Sequence, residues 1–136
     1  MKCLALIAAL LLVNLSHDLS AKECWVLSNM KGQTAMLSEG YVFSEAKFSN
    51  PMVLCLDEDT GYVSGDDTKF TKFGNSTLAG WVQNQGLELF EVFQIDRASN
   101  KVFFTKTRIG TVSAFPALGL MDMVGAYVGT ATKIEE

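Results

Sequence analysis

Leu87-Glu88-Leu89-Phe90-Glu91-Val92-Phe93-Gln94-Ile95-Asp96, then Arg97-Ala98-Ser99-Asn100, then Lys101-Val102-Phe103-Phe104-Thr105-Lys106-Thr107-Arg108-Ile109, is the stretch that decides the fold. Two runs rich in aromatic and β-branched residues flank a four-residue polar turn, which is the signature of a β-hairpin. Counting outward from the turn, Asp96 faces Lys101, Ile95 faces Val102, and Phe93 faces Phe104. Glu91 then faces Lys106, and Leu89 faces Arg108. Strand alternation puts the last four pairs on one face of the ribbon. The other face carries Phe90, Val92, Phe103 and Ile109 among polar residues. Both faces are partly apolar, which suits a barrel or sandwich better than a one-sided sheet.

The rest of the chain repeats that rhythm. Short apolar runs are punctuated by Gly, Asn and Asp, as in a β-meander. Cys24–Lys31 reads as a first strand ended by Gly32, and Gln33–Leu37 as a second. Further runs are Tyr41–Phe48, Met52–Asp57, Tyr62–Gly65, Lys69–Phe73 and Thr77–Asn84. After Thr111 the pattern changes. Pro116 opens a helix at its first turn, Leu118, Met121 and Val124 recur at helical spacing, and Gly125 ends it. Ala126–Ile134 reads as a closing strand. The expected fold is mainly β: a small antiparallel barrel or sandwich with one short helix at Pro116–Val124. In plan it resembles the lipocalins, on this meander rhythm alone and without a lipocalin motif.

The start of the chain points to export. Met1-Lys2 is a positive n-region, Cys3–Leu15 is apolar apart from Asn14, and Ser16–Ala21 is a short polar c-region ending in a small residue. That is the pattern of a cleaved signal peptide, with the cut after Ala21. A spanning anchor needs roughly 20 apolar residues. Residues 1–21 are therefore read as the signal and 22–136 as one β-rich domain, secreted or periplasmic, with no membrane anchor after cleavage. The leader's Lys2 and Asp18 cancel, so the mature chain keeps the net charge of −4. That argues against a nucleic-acid binder, which shows a basic stripe. It favours basic partners.

Mature Cys24 and Cys55 read as a disulfide, the usual fate of an even cysteine count after export. A bridge over about 30 residues stabilises by roughly 3–4 kcal/mol in the chain-entropy model. The single histidine, His17, lies in the leader. Without it, Ser-His-Asp and Cys-His sites are out, and so is any zinc site that needs His. No carboxylate spacing points to catalysis, so no catalytic residue, metal or cofactor is assigned, and the chain is read as a non-enzyme.

Three features remain. Asp57-Glu58-Asp59 before Thr60-Gly61, with Asp66-Asp67 beyond, forms an acidic stretch. It reads as a solvated turn or as a docking loop for a basic partner. Alternating carboxylates also open calcium loops, but Thr68 stands where an EF-hand requires Glu. Glu91 with Lys106 and Arg108 beside Leu89 and Phe93 reads as a structural ion pair or as a lumen site for an anionic head group. Trp25, Trp81, Phe90, Phe93, Phe103 and Phe104 are assigned to the core by default. Asn75-Ser76-Thr77 fits the N-glycosylation acceptor pattern of secreted eukaryotic chains.

Two functions follow as expectations. The first is an exported binding protein, an inhibitor or immunity-type partner of a basic exported enzyme, docking through Asp57, Glu58, Asp59, Asp66 and Asp67. The second is a carrier of a small apolar or anionic ligand in a barrel lumen, held by Glu91, Lys106 and Arg108.

Overall fold

The computed structural model describes residues 22–110 and 122–135. The signal-peptide reading of residues 1–21 lies outside them. Among the described residues nine strands form one antiparallel sheet: β1 (Glu23–Met36), β2 (Phe43–Lys47), β3 (Met52–Leu56), β4 (Thr60–Val63), β5 (Phe70–Phe73), β6 (Thr77–Asn84), β7 (Leu87–Asp96), β8 (Lys101–Gly110) and β9 (Met123–Lys133). Each pairs with its sequence neighbour from β3 onward, and β9 pairs back onto β1. The result is a closed eight-stranded barrel. Closure of β9 onto β1 covers edges that an open sheet would leave bare, while β2 keeps an outer edge with no strand on it among the described residues.

The nine strands make eight walls because β2 and β3 share one edge of β1. β3 lies along Glu23–Leu27 and β2 along Lys31–Ala35, running in the same direction. Between them, at Ser28/Lys31, β1 carries a bulge in which Asn29 and Met30 together oppose Gly129. Asn29 takes φ 53, a left-handed conformation that Asn tolerates better than most residues. The bulge shifts the inward frame from Trp25 and Leu27 to Met30 and Thr34. That shift breaks the period-two pattern. It is why the sequence reads as two strands split near Gly32, where the fold has one strand of 14 residues.

The β7–β8 register places Asp96 opposite Lys101, Ile95 opposite Val102, Phe93 opposite Phe104, Glu91 opposite Lys106 and Leu89 opposite Arg108. The expected C-terminal helix is corrected at its end. Residues 116–121 lie outside the described set, and Met123 and Val124 are strand, paired with Arg108 and Thr107. Cross-strand pairing overrides the helical spacing there.

The core fills the middle of the barrel. Leu78, Phe93, Phe104 and Tyr127 stand in one cross-strand row, and the exposed Phe48 of the β2–β3 connection packs a ring against Tyr127. Phe93 and Phe104 stack at 4.1 Å, Phe104 and Tyr127 at 5.4 Å, and Phe70 meets Phe93 edge-on at 5.7 Å. Trp25, Leu27, Leu54, Ile95 and Val102 continue the core toward the Glu23 rim. Each large side chain buried this completely contributes roughly 1.5–3 kcal/mol. At that rim Cys24 and Cys55 are cross-strand partners and form the disulfide. Beside them Arg97 binds Glu23 at 2.8 Å, the Asn75 carbonyl and Ser76, tying the β7–β8 turn to β1 and to the β5–β6 turn.

Candidate functional site

The acidic stretch does not act as one loop. Asp57, Glu58 and Asp59 form the exposed β3–β4 turn, while Asp66 and Asp67 follow β4 at its other end. The turn is held: the Asp57 N–H donates to the Thr60 carbonyl, and the Lys72 N–H donates to that of Asp59. It begins two residues after Cys55, so the disulfide braces its base. Asp67 is exposed. Asp66 instead folds over the barrel mouth, where its carboxylate accepts the Thr68 N–H at 2.9 Å.

Below Asp66 sits Glu91, only 1% exposed. Lys106 Nζ binds its Oε1 at 2.7 Å, and Thr68 Oγ1 donates to its Oε2 at 3.0 Å. Its cross-strand row runs Gly80, Glu91, Lys106, Gly125 and Thr34. The two glycines make space for this polar layer. A Cβ at Gly80 would strike Thr68, and one at Gly125 would come within 2.6 Å of the Tyr127 hydroxyl. That hydroxyl bonds Thr34 Oγ1 at 2.6 Å in the same layer. Burial pushes the Glu91 carboxyl above the usual range, and the hydrogen bond it shares with Asp66 pushes the same way; Lys106 offsets only part. Burial also raises Asp66, but hydrogen bonds from Glu91 and Thr68 outweigh it and hold Asp66 below its ordinary value. The shared hydrogen bond thus moves the two carboxyls in opposite directions, Glu91 up and Asp66 down.

Arg108 is half-buried one step nearer the rim, opposite Leu89 and Met123. The three residues read as a lumen site thus share one inner face. Glu91 and Lys106 are in direct contact, so the Lys106 charge is engaged within the protein. Among the described residues, no three His, Cys, Asp or Glu side chains meet as a metal-holding group.

The default assignment of aromatics to the core holds for Trp25, Phe93 and Phe104 and is corrected for three others. Trp81 is 56% exposed, and Phe90 and Phe103 are also exposed. They lie on the outer wall of β6–β9. One row there is Trp81, Phe90, Thr107 and Val124; the next is Ala79, Val92, Thr105 and Ala126; the third is Thr77, Gln94, Phe103 and Val128. None of the three rows carries a charged side chain. The signal was present in the sequence, since Phe90 and Val92 alternate with Glu91 and Phe93. It becomes legible only once the barrel fixes which face is inside.

No protein-family model, no curated protein and no solved structure matches this chain. The Cys24–Cys55 bond indicates an oxidising compartment rather than the cytoplasm. Among the described residues no helix is long and apolar enough to cross a membrane.

Proposed function

We propose that this chain is an exported binding protein that docks onto a basic partner protein through the outer wall of β6–β9. The observation that carries the reading is the uncharged strip centred on the Trp81–Phe90 cross-strand pair. Exposed aromatics grouped in a charge-free patch are what a protein interface uses as anchors. The net charge of −4 and the braced Asp57-Glu58-Asp59 turn add long-range attraction for a cationic partner. An inhibitor or immunity-type role fits a small disulfide-braced barrel, whose surface loses little freedom on docking.

The carrier reading keeps one feature in its favour, the half-buried Arg108 on the inner face. Against it stand the aromatic rings that occupy the middle of the barrel and the engagement of Lys106 by Glu91.

Affinity capture from the exported-protein fraction tests the docking reading. Wild type should retain a basic protein that Trp81→Ser with Phe90→Ser loses. Equal retention by both proteins would reject the strip as the docking face.

A further inference from the structure

We infer that two copies of this chain pair edge to edge through β2, in antiparallel register with the two-fold axis at Ala46. Among the described residues β2 is the last strand of the sheet, and no strand lies on its outer edge. Bare edges of this kind accept a further strand. Phe43, Ser44, Glu45 and Lys47 are exposed, Val42 beside them is 67% exposed, and Ala46 is anchored against the core. A groove of about 710 Å³ runs along the strand, lined by Lys31, Gln33, Glu45 and Lys47 among others.

The charges on this edge select the occupant. In an antiparallel pair, facing residues lie on the same face of the sheet and neighbours alternate. The two-fold relating identical strands must therefore pass through a residue and never between two. An axis at Glu45 sets Glu45 against Glu45, and one at Lys47 sets Lys47 against Lys47. An axis at Ser44 leaves both charges unmatched, with Glu45 opposite Phe43. Only Ala46 places Glu45 of each copy opposite Lys47 of the other, twice. The single chain also shows a mismatch that this pairing relieves. Lys47 stands opposite Lys31 on β1, a like-charged pair, while Glu45 stands opposite the neutral Gln33. In the dimer each Lys47 gains a carboxylate neighbour. The β6–β9 strip and the Asp57–Asp59 turn take no part in the pairing, so a dimer would present two docking faces.

Sedimentation velocity of the mature chain over a concentration series tests this, with four variants. Wild type should show a concentration-dependent monomer–dimer equilibrium. Glu45→Lys and Lys47→Glu should each weaken dimerisation roughly tenfold or more, since two facing pairs turn repulsive. The double exchange Glu45→Lys with Lys47→Glu restores both pairs and should recover wild-type affinity. Trp81→Ser with Phe90→Ser should leave the dimer unchanged. In oxidised protein Ala46→Cys should cross-link to its own copy, and Glu45→Cys should not. A monomer at every concentration, single exchanges without effect, a double exchange that fails to recover, or a dimer lost with the Trp81 and Phe90 changes would each overturn the proposal.

Discussion

Each face of the β7–β8 hairpin carries, among residues of the usual kind, a group more often found on the other. Its inner face holds a carboxyl and an ammonium, Glu91 and Lys106, in contact at 2.7 Å. Its outer face holds Phe90 and Phe103 exposed beside Trp81. The difference lies in where each group finds its partners. Glu91 is satisfied within the chain by Lys106, Thr68 and Asp66, so its carboxyl is a structural element of the barrel interior. The outer strip is flanked by threonine, alanine and glutamine and presents its rings to solvent, which is what supports the proposed docking there.

Breaking the inner face should have the largest effect. Lys106→Met leaves Glu91 buried without its cation, and removing one partner of a buried pair costs about 3–5 kcal/mol. The loss should depend on pH. Because the folded value of Glu91 is raised, its favourable contribution is complete below its unfolded value and is lost as pH rises through the folded one. Asp66 runs the other way: its contribution is present above its unfolded value and is lost as pH falls through the depressed folded one. Wild-type stability should therefore fall on the alkaline side through Glu91 and on the acid side through Asp66. Lys106→Met should steepen the decline on the alkaline side. Chemical denaturation at several pH values measures both; a variant whose deficit is constant with pH would contradict the buried-carboxyl account.

A smaller effect is expected deeper in the same layer. Tyr127→Phe removes the hydroxyl bonded to buried Thr34 Oγ1 and should cost about 1–2 kcal/mol, with the aromatic stack retained. Near-UV circular dichroism checks the stack, and urea melts give the cost. The smallest stability change belongs to the outer face. Replacing Trp81 and Phe90 by Ser removes one exposed cross-strand pair, a loss of about 0.2–1 kcal/mol. A loss of several kcal/mol in that variant would show the strip to be structural.

Sequence alone reached the hairpin register because the turn Arg97–Asn100 is short and both arms alternate cleanly. The disulfide was equally legible, as an even cysteine count once residues 1–21 are read as a leader. Three things were not. The bulge at Asn29–Met30 is a backbone feature opposite Gly129, a residue about 100 positions along the chain. The placement of β2 and β3 along one edge of β1 depends on where each pairs with it. The inward turn of Asp66 was hidden because Asp66 and Asp67 look alike in sequence; only Asp66, in the β4–β5 connection, reaches Glu91 on β7. Local pattern reports period and turns, while burial depends on pairing between distant strands.

Binding kinetics of the captured basic partner test the central claim most directly, namely that the outer wall docks and the inner charge layer only holds the barrel together. Three forms are compared: wild type, Trp81→Ser with Phe90→Ser, and Glu91→Gln with Lys106→Gln. The account predicts that the outer variant dissociates at least about a hundredfold faster, in line with losing two aromatic anchors. The inner variant, assayed where it remains folded, should match wild type. An unchanged dissociation rate for the outer variant, or a lost interaction in the folded inner one, would contradict it.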